Sequence, residues 1–197
     1  HDGYFYGFCN NVFDGCESLH TVKLPKNSPG NFVIPMATFS WCGSLKSIVF
    51  PANTSIIGGY AFNHSGLESL DLTTIEGEHF LQGYYTFAAC ENLKTIKANG
   101  KLRFDGLYIF QDCKALETVT INGSGDDYIE ITPDAFRWCD NLKSFKVYRL
   151  KGTGEINEMD SVFVGCKKLQ EFISTCEPEL NKIGYSCFDG CESLKTV

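Results

Sequence analysis

Basic charge is in short supply: 17 lysines and arginines stand against 24 aspartates and glutamates, for a net charge of -7. Nucleic acid rewards a basic surface, so the charge argues against a role in binding it. Long apolar runs are missing as well, and no stretch approaches the roughly 20 apolar residues of a membrane-spanning helix. The opening HDGYFYGFC has neither the basic nor the long apolar segment of a secretory leader. With 43% apolar and 21% charged residues, the chain is nevertheless rich enough in apolar side chains to build a core.

Marks of catalysis are equally sparse. The four histidines, His1, His20, His64 and His79, are scattered. There is no His-Glu-x-x-His helix, Gly-x-Ser-x-Gly elbow or phosphate-cradling glycine loop. Carboxylates cluster at Glu76-Gly-Glu78, Asp126-Asp127 and Glu155 to Asp160, in turn-rich stretches where acids are ordinarily solvated. The GSGDD run lacks the ligand spacing of a calcium loop, and no Cys-x-x-Cys pair exists for zinc. No enzyme activity, cofactor or metal is expected.

What the chain has in abundance is cysteine, ten in all, and repetition. FDGCESLHTV, from Phe13, returns with one change as FDGCESLKTV, from Phe188. Between them stand FSWCGSLKSI, FAACENLKTI, FQDCKALETV, FRWCDNLKSF and FVGCKKLQEF. An eighth copy, FNHSGLESL from Phe62, is one residue short and carries Ser65 in the cysteine position. Phe13, Phe39, Phe62, Phe87, Phe110, Phe136, Phe163 and Phe188 thus recur every 23 to 27 residues. A unit of that size cannot bury its apolar side alone; stacking on its neighbours builds a continuous core.

Each unit reads in three parts. From the motif leucine onward, as in Leu19 to Leu24, apolar and polar residues alternate in the manner of a half-buried strand. The Phe-x-x-Cys segment predicts one helical turn. Length varies in the turn-rich stretches KNSPGN, NGSGDD, KGTGE and CEPEL, which are surface loops. An apolar residue also stands five positions before the Phe in five units: Phe8, Ile34, Ile57, Ile131 and Ile183.

The period and the Leu-x-x-φ-x-φ strand, with φ apolar, resemble leucine-rich repeats. The Ala-Phe-x-x-Cys form, as in Asp134-Ala135-Phe136-Arg-Trp-Cys139, is similar to the BspA-type subfamily named after a Bacteroides surface protein. The resemblance implies an α/β repeat solenoid: a right-handed coil with one short parallel strand per repeat and helical turns or loops opposite. Residues 1–197 would form a single solenoid of about eight units. The chain stops in mid-strand at Val197 without a polar cap, so it is expected to be a segment of a longer protein, or to end against a partner.

Seven cysteines, Cys16, Cys42, Cys90, Cys113, Cys139, Cys166 and Cys191, share one column, which reads as a ladder of buried thiols serving as small apolar side chains. Cys187 falls in the small-residue column before Phe. Cys9 and Cys176 stand outside the ladder.

Two columns fall on the open face of the strands, with the apolar residue between them pointing inward. They supply the candidate binding residues Thr21, Lys23, Ser69, Asp71, Thr95, Lys97, Thr118, Thr120, Ser144 and Lys146. The hydroxyls among them admit two readings, cross-strand pairing or a polar surface that holds ligand. Lys23, Lys97 and Lys146 suit an acidic partner, and a solvated face accounts for them too. The column just before the cysteine, Gly15, Trp41, His64, Ala89, Asp112, Trp138, Gly165 and Gly190, is too mixed to be core. Trp41 and Trp138 therefore stand on the opposite, convex side, either as contact residues or packed on a neighbouring unit.

Asn53, Asn63 and Asn122 begin Asn-x-Ser/Thr sequons, and Asp160-Ser161-Val162 resembles a Bacteroides-type O-glycosylation acceptor. The resemblance implies a non-enzymatic, adhesin-like module, extracellular or on a bacterial surface, with a protein or glycan partner. The alternative is a structural spacer that self-associates end to end through its terminal coils.

Overall fold

The eight motif phenylalanines form one row of stacked rings. The protein is described by a computed structural model covering residues 9–26, 30–152, 159–177 and 183–197. His1, Phe8, most of the Glu155 to Asp160 run, and parts of the KNSPGN, KGTGE and CEPEL loops lie outside the described residues. From Phe13 to Phe188 successive ring centroids are 5.1 to 5.7 Å apart, within the range of favourable offset stacking. One ring per coil therefore marks the axis of the molecule.

Two parallel sheets flank this row. The first joins β1 (Phe32–Ile34), β2 (Thr54–Ile57), β4 (His79–Gln82), β6 (Leu102–Asp105), β8 (Ile129–Glu130) and β10 (Leu150–Lys151) in that order. The second joins β3 (Ser69–Asp71), β5 (Thr95–Asn99), β7 (Thr118–Asn122), β9 (Ser144–Val147) and β11 (Glu171–Ser174). Inward side chains alternate with outward ones: along β5, Ile96 and Ala98 are buried while Lys97 and Asn99 are exposed. Motif leucines such as Leu93, Leu116 and Leu142 are fully buried between the second sheet and the phenylalanine row.

Two expectations need correction. A central coil contributes two strands rather than one, and the described residues contain no helix. The Phe-x-x-Cys segment is a chain of turns, and its backbone explains why it cannot be helical. The residues two before and two after each phenylalanine have positive φ, as at Tyr60 (56°) and His64 (55°), or Asp134 (57°) and Trp138 (60°). Left-handed residues at both ends of a five-residue segment leave no room for a helical turn. Its amides also point sideways: Phe62 N donates to Thr86 O of the next coil at 2.8 Å, and His64 N to Ala88 O at 3.0 Å. Two bonds within the segment, Asn63 N to Tyr60 O at 3.1 Å and Ser65 N to Phe62 O at 3.0 Å, close successive turns.

The cysteine column has a polar duty as well as an apolar one. Each ladder thiol from Cys42 onward donates to the phenylalanine carbonyl of the preceding motif copy: Cys113 to Phe87 O, Cys139 to Phe110 O and Cys166 to Phe136 O, all at 3.2 Å. In the shortened coil Ser65 takes the thiol's place and its hydroxyl lies 3.3 Å from Cys90 Sγ. The lost residue is absorbed at Gly66, whose backbone lies so close to Gly43 that a Cβ would strike the Gly43 carbonyl. Cys42, Cys90, Cys113, Cys139, Cys166 and Cys187 are buried, Cys191 is half-buried, and Cys16 is exposed, in departure from the buried-ladder reading. All ten cysteines are free thiols.

Candidate functional site

The second sheet presents the open face, and the structure divides the candidate residues on it. Ser69, Asp71, Lys97 and Lys146 are exposed on β3, β5 and β9, whereas Thr95, Thr118, Thr120 and Ser144 are half-buried in the same face. Parallel register sets Ser69, Thr95, Thr118, Ser144 and Glu171 in one line, and Asp71, Lys97, Thr120 and Lys146 in the next. Thr21 and Lys23 are exposed but precede the sheet, since the first two coils form no strands here. There Val22, Lys23, Leu24 and Lys26 face Val49 and Phe50 across a groove of about 700 Å³.

Much of the charge on this face is matched internally. Lys146 Nζ lies 2.9 Å from Glu171 Oε1, which also accepts from Ser144 Oγ at 2.6 Å. The Ser144 hydroxyl and the Lys146 ammonium together lower the Glu171 pKa. Asp71 accepts from the Thr73 hydroxyl at 2.6 Å and the Thr73 amide at 2.9 Å, which lowers its pKa. One column further out, Lys46, Glu68, Lys94, Glu117 and Lys143 alternate in sign from coil to coil. Lys46 pairs with Glu68 at 2.8 Å and Lys143 with Glu117 at 2.7 Å. A uniformly acidic polymer laid along this column would meet a carboxylate at every second coil.

On the first sheet, Arg103 lies over the Phe80 ring and its Nε is 2.6 Å from Glu130, itself nearly buried and 3.9 Å from Lys151. This network joins neighbouring coils and had no counterpart in the sequence reading. His79 occupies the inward position that Leu102, Ile129 and Leu150 fill in later coils. Burial lowers its pKa, and its Nε2 has no hydrogen-bond partner.

The turn side carries aromatics. Trp41, 53% exposed, stacks on His64 at 3.8 Å, and Trp138 lies beneath Arg137 and against Gly165. Each tryptophan packs on a neighbouring side chain or coil and remains accessible. A row whose extent sequence reasoning missed, although the LQGYYTF stretch raises Tyr84 and Tyr85 as contact candidates, stands two positions before the phenylalanines. Tyr60 stacks toward Tyr85 at 5.4 Å, and Tyr85 on Tyr108 at 4.9 Å. Reading that column across the copies would have found it. Among the described residues, no group of three or more acidic, histidine or cysteine side chains could hold a metal ion. No helix there is long and apolar enough to cross a membrane.

Stacked parallel strands around a phenylalanine and leucine core define a leucine-rich-repeat type of solenoid. The family model described as a BspA type leucine rich repeat region matches in six copies, over residues 7–143 and 82–195, and the chain belongs to that family. Among solved structures it is similar to a leucine rich cell surface protein from Faecalibacterium prausnitzii A2-165, with 18% identity and a TM-score of 0.42 over 94% of this chain. It is also similar to a leucine-rich repeat protein from Bacteroides ovatus ATCC 8483, with 20% identity and a TM-score of 0.37 over 97% of this chain. The chain spans 61% of the first and 69% of the second. No curated protein matches it in sequence.

Proposed function

We propose that the chain is a non-enzymatic, adhesin-like binding module of a surface or secreted bacterial protein, which holds a protein or glycan partner along an extended face of the solenoid. The observation that carries this reading is the open sheet. Five strands in parallel register place one side chain per coil in each of two outward lines. Such a surface offers many weak contacts at fixed spacing, which suits multi-point recognition better than the enclosure of a small substrate. Affinity would rest on a few residues within it rather than on its total area.

The test is binding of the purified chain to an array of host matrix proteins and glycans, beside a variant with Lys23, Lys97 and Lys146 changed to Glu. Saturable binding lost in that variant supports the open face. Absence of saturable binding across the array sinks the module reading in favour of the spacer.

A further inference from the structure

Charge on the open face changes sign from coil to coil, and the pattern is its own complement. Counting coils from that of Phe13, the outermost column reads Lys46, Glu68, Lys94, Glu117, Lys143 and Gln170 in the second to seventh coils. Across the face, the other outward column reads Val49, Asp71, Lys97, Thr120, Lys146 and Ile173. The second, fourth and sixth coils are thus basic. The third and fifth are acidic, and Glu171 makes the seventh so.

Pairing within the chain accounts for part of this alternation, as Lys46 bonds Glu68, Lys143 bonds Glu117 and Lys146 bonds Glu171. It does not account for two apolar side chains in a column that is otherwise polar. Val49 is 75% exposed and Ile173 half-buried, in the second and seventh coils, equally far from the middle of the six. Lys94, flanked by Glu68 and Glu117, forms no ion pair among the described residues.

We propose that the open face pairs with the same face of a second copy of the chain, about a two-fold axis parallel to the strands between the fourth and fifth coils. This rests on the open-face reading above and names its partner. Such an axis sets each column opposite itself and reverses the order of the coils. Glu68 then faces Lys143 of the second copy, Asp71 faces Lys146, Lys94 faces Glu117 and Val49 faces Ile173, each contact being made twice. No like charges meet in the second to seventh coils, and the exposed apolar pair is covered. Complementary charge of this kind fixes register more than it adds affinity.

Other placements of the axis fail. On the fourth coil it sets Lys46 against Lys143 and Glu68 against Glu117; on the fifth, Lys94 against Lys143 and Glu117 against itself. Between the third and fourth it sets Lys23 against Lys146. Between the fifth and sixth it lays Lys97 on Ile173 with no carboxylate opposite. Coils about 5 Å apart and a face about four residues wide cover roughly 500 Å² per copy, at the low end of specific interfaces, so the pair is transient.

The test is sedimentation equilibrium of the whole chain from micromolar to millimolar concentration, beside Asp71→Lys, Lys146→Asp and the two changes combined. These exposed positions lie three coils apart in one chain and meet only across the axis. The expected result is a monomer–dimer equilibrium that stops at the dimer. Either single change weakens it at least tenfold, and the combined change restores it to within threefold, with the circular dichroism of the parent kept throughout. A monomer at every concentration, or a combined variant no better than the single ones, would overturn the pairing. So would growth past the dimer, the outcome of end-to-end stacking. A monomer that still binds saturably on the array overturns the pairing alone and leaves the binding module standing. A dimer restored by the combined change, with nothing bound on the array, supports the pairing and removes the outside partner.

Discussion

Phe110→Ala tests the architecture at its centre. The Phe110 ring is buried between Phe87 and Phe136, each 5.2 Å away, with Phe104 at 5.7 Å. Truncating a buried phenylalanine costs about 3–5 kcal/mol, the spread reflecting how far the site collapses. Here collapse is resisted, because the backbone is pinned on both sides. Phe110 N donates to Ala135 O at 2.8 Å, and Phe110 O accepts from the Cys139 thiol at 3.2 Å. Two stacking contacts go with the ring, each worth about 0.5–1.5 kcal/mol beyond buried area.

The expected loss therefore sits near the top of that range, about 5 kcal/mol. With a urea slope of about 2 kcal/mol per molar, the midpoint moves down by roughly 2.5 M. Urea unfolding followed by circular dichroism measures it. Phe13→Ala, at a half-buried ring where the row begins, should lose about half as much. A central variant that unfolds with the parent, or no earlier than the Phe13 variant, would refute the continuous ring stack.

Two further outcomes follow from buried polar groups. Because burial lowers the His79 pKa from 6.5, the folded chain takes up its proton later than the unfolded one as pH falls. Stability is thus complete above about pH 6.5 and declines below it, by at most about 1.4 kcal/mol per pH unit from this group. His79→Leu, matching Leu102 beside it, should remove that decline and add about 1–2 kcal/mol at pH 7 by eliminating an unsatisfied nitrogen; an unchanged pH slope in the variant would sink the assignment. The thiols should separate by coil: iodoacetamide at pH 8 labels Cys9 and Cys16 in the native chain. It spares Cys42, Cys90, Cys113, Cys139, Cys166 and Cys187 until denaturant is added, since burial raises the pKa of Cys42 to about 11 and of Cys187 to about 12. Native labelling of Cys113 or Cys139 at the rate of Cys16 would contradict their burial.

The legible parts of this molecule were those written once per coil in apolar residues. Phenylalanine, cysteine and leucine columns exposed the repeat, and the alternation after the leucine marked the second sheet, with Ile96 and Val119 inward and Lys97 outward. The first sheet left a weaker trace. Ile34, Ile57 and Ile131 recur five before the phenylalanine, but Leu81 and Phe104 stand six before it, and β8 and β10 are two residues long. Strands so short owe their form to neighbouring coils, through lateral pairing that no single unit displays.

The helical turn was misjudged for a related reason. Propensity at Phe-x-x-Cys looks helical only if all the segment's amides bond along the chain, whereas here alternate ones are drawn sideways to the next coil. The cost is a left-handed residue at each shoulder of the turn, and glycine meets it in only some copies. Columns that seemed mixed because they were exposed are therefore mixed for a second reason: the backbone conformation is fixed while the side chain is left free. That separation suits the repeat to the binding role proposed above. Stability resides in the phenylalanine, cysteine and leucine columns, so the shoulder residues can vary from coil to coil without unmaking the stack. It also means that a bulky shoulder residue is met by the coil beside it, as Tyr60, Tyr85 and Tyr108 meet one another and Trp41 meets His64.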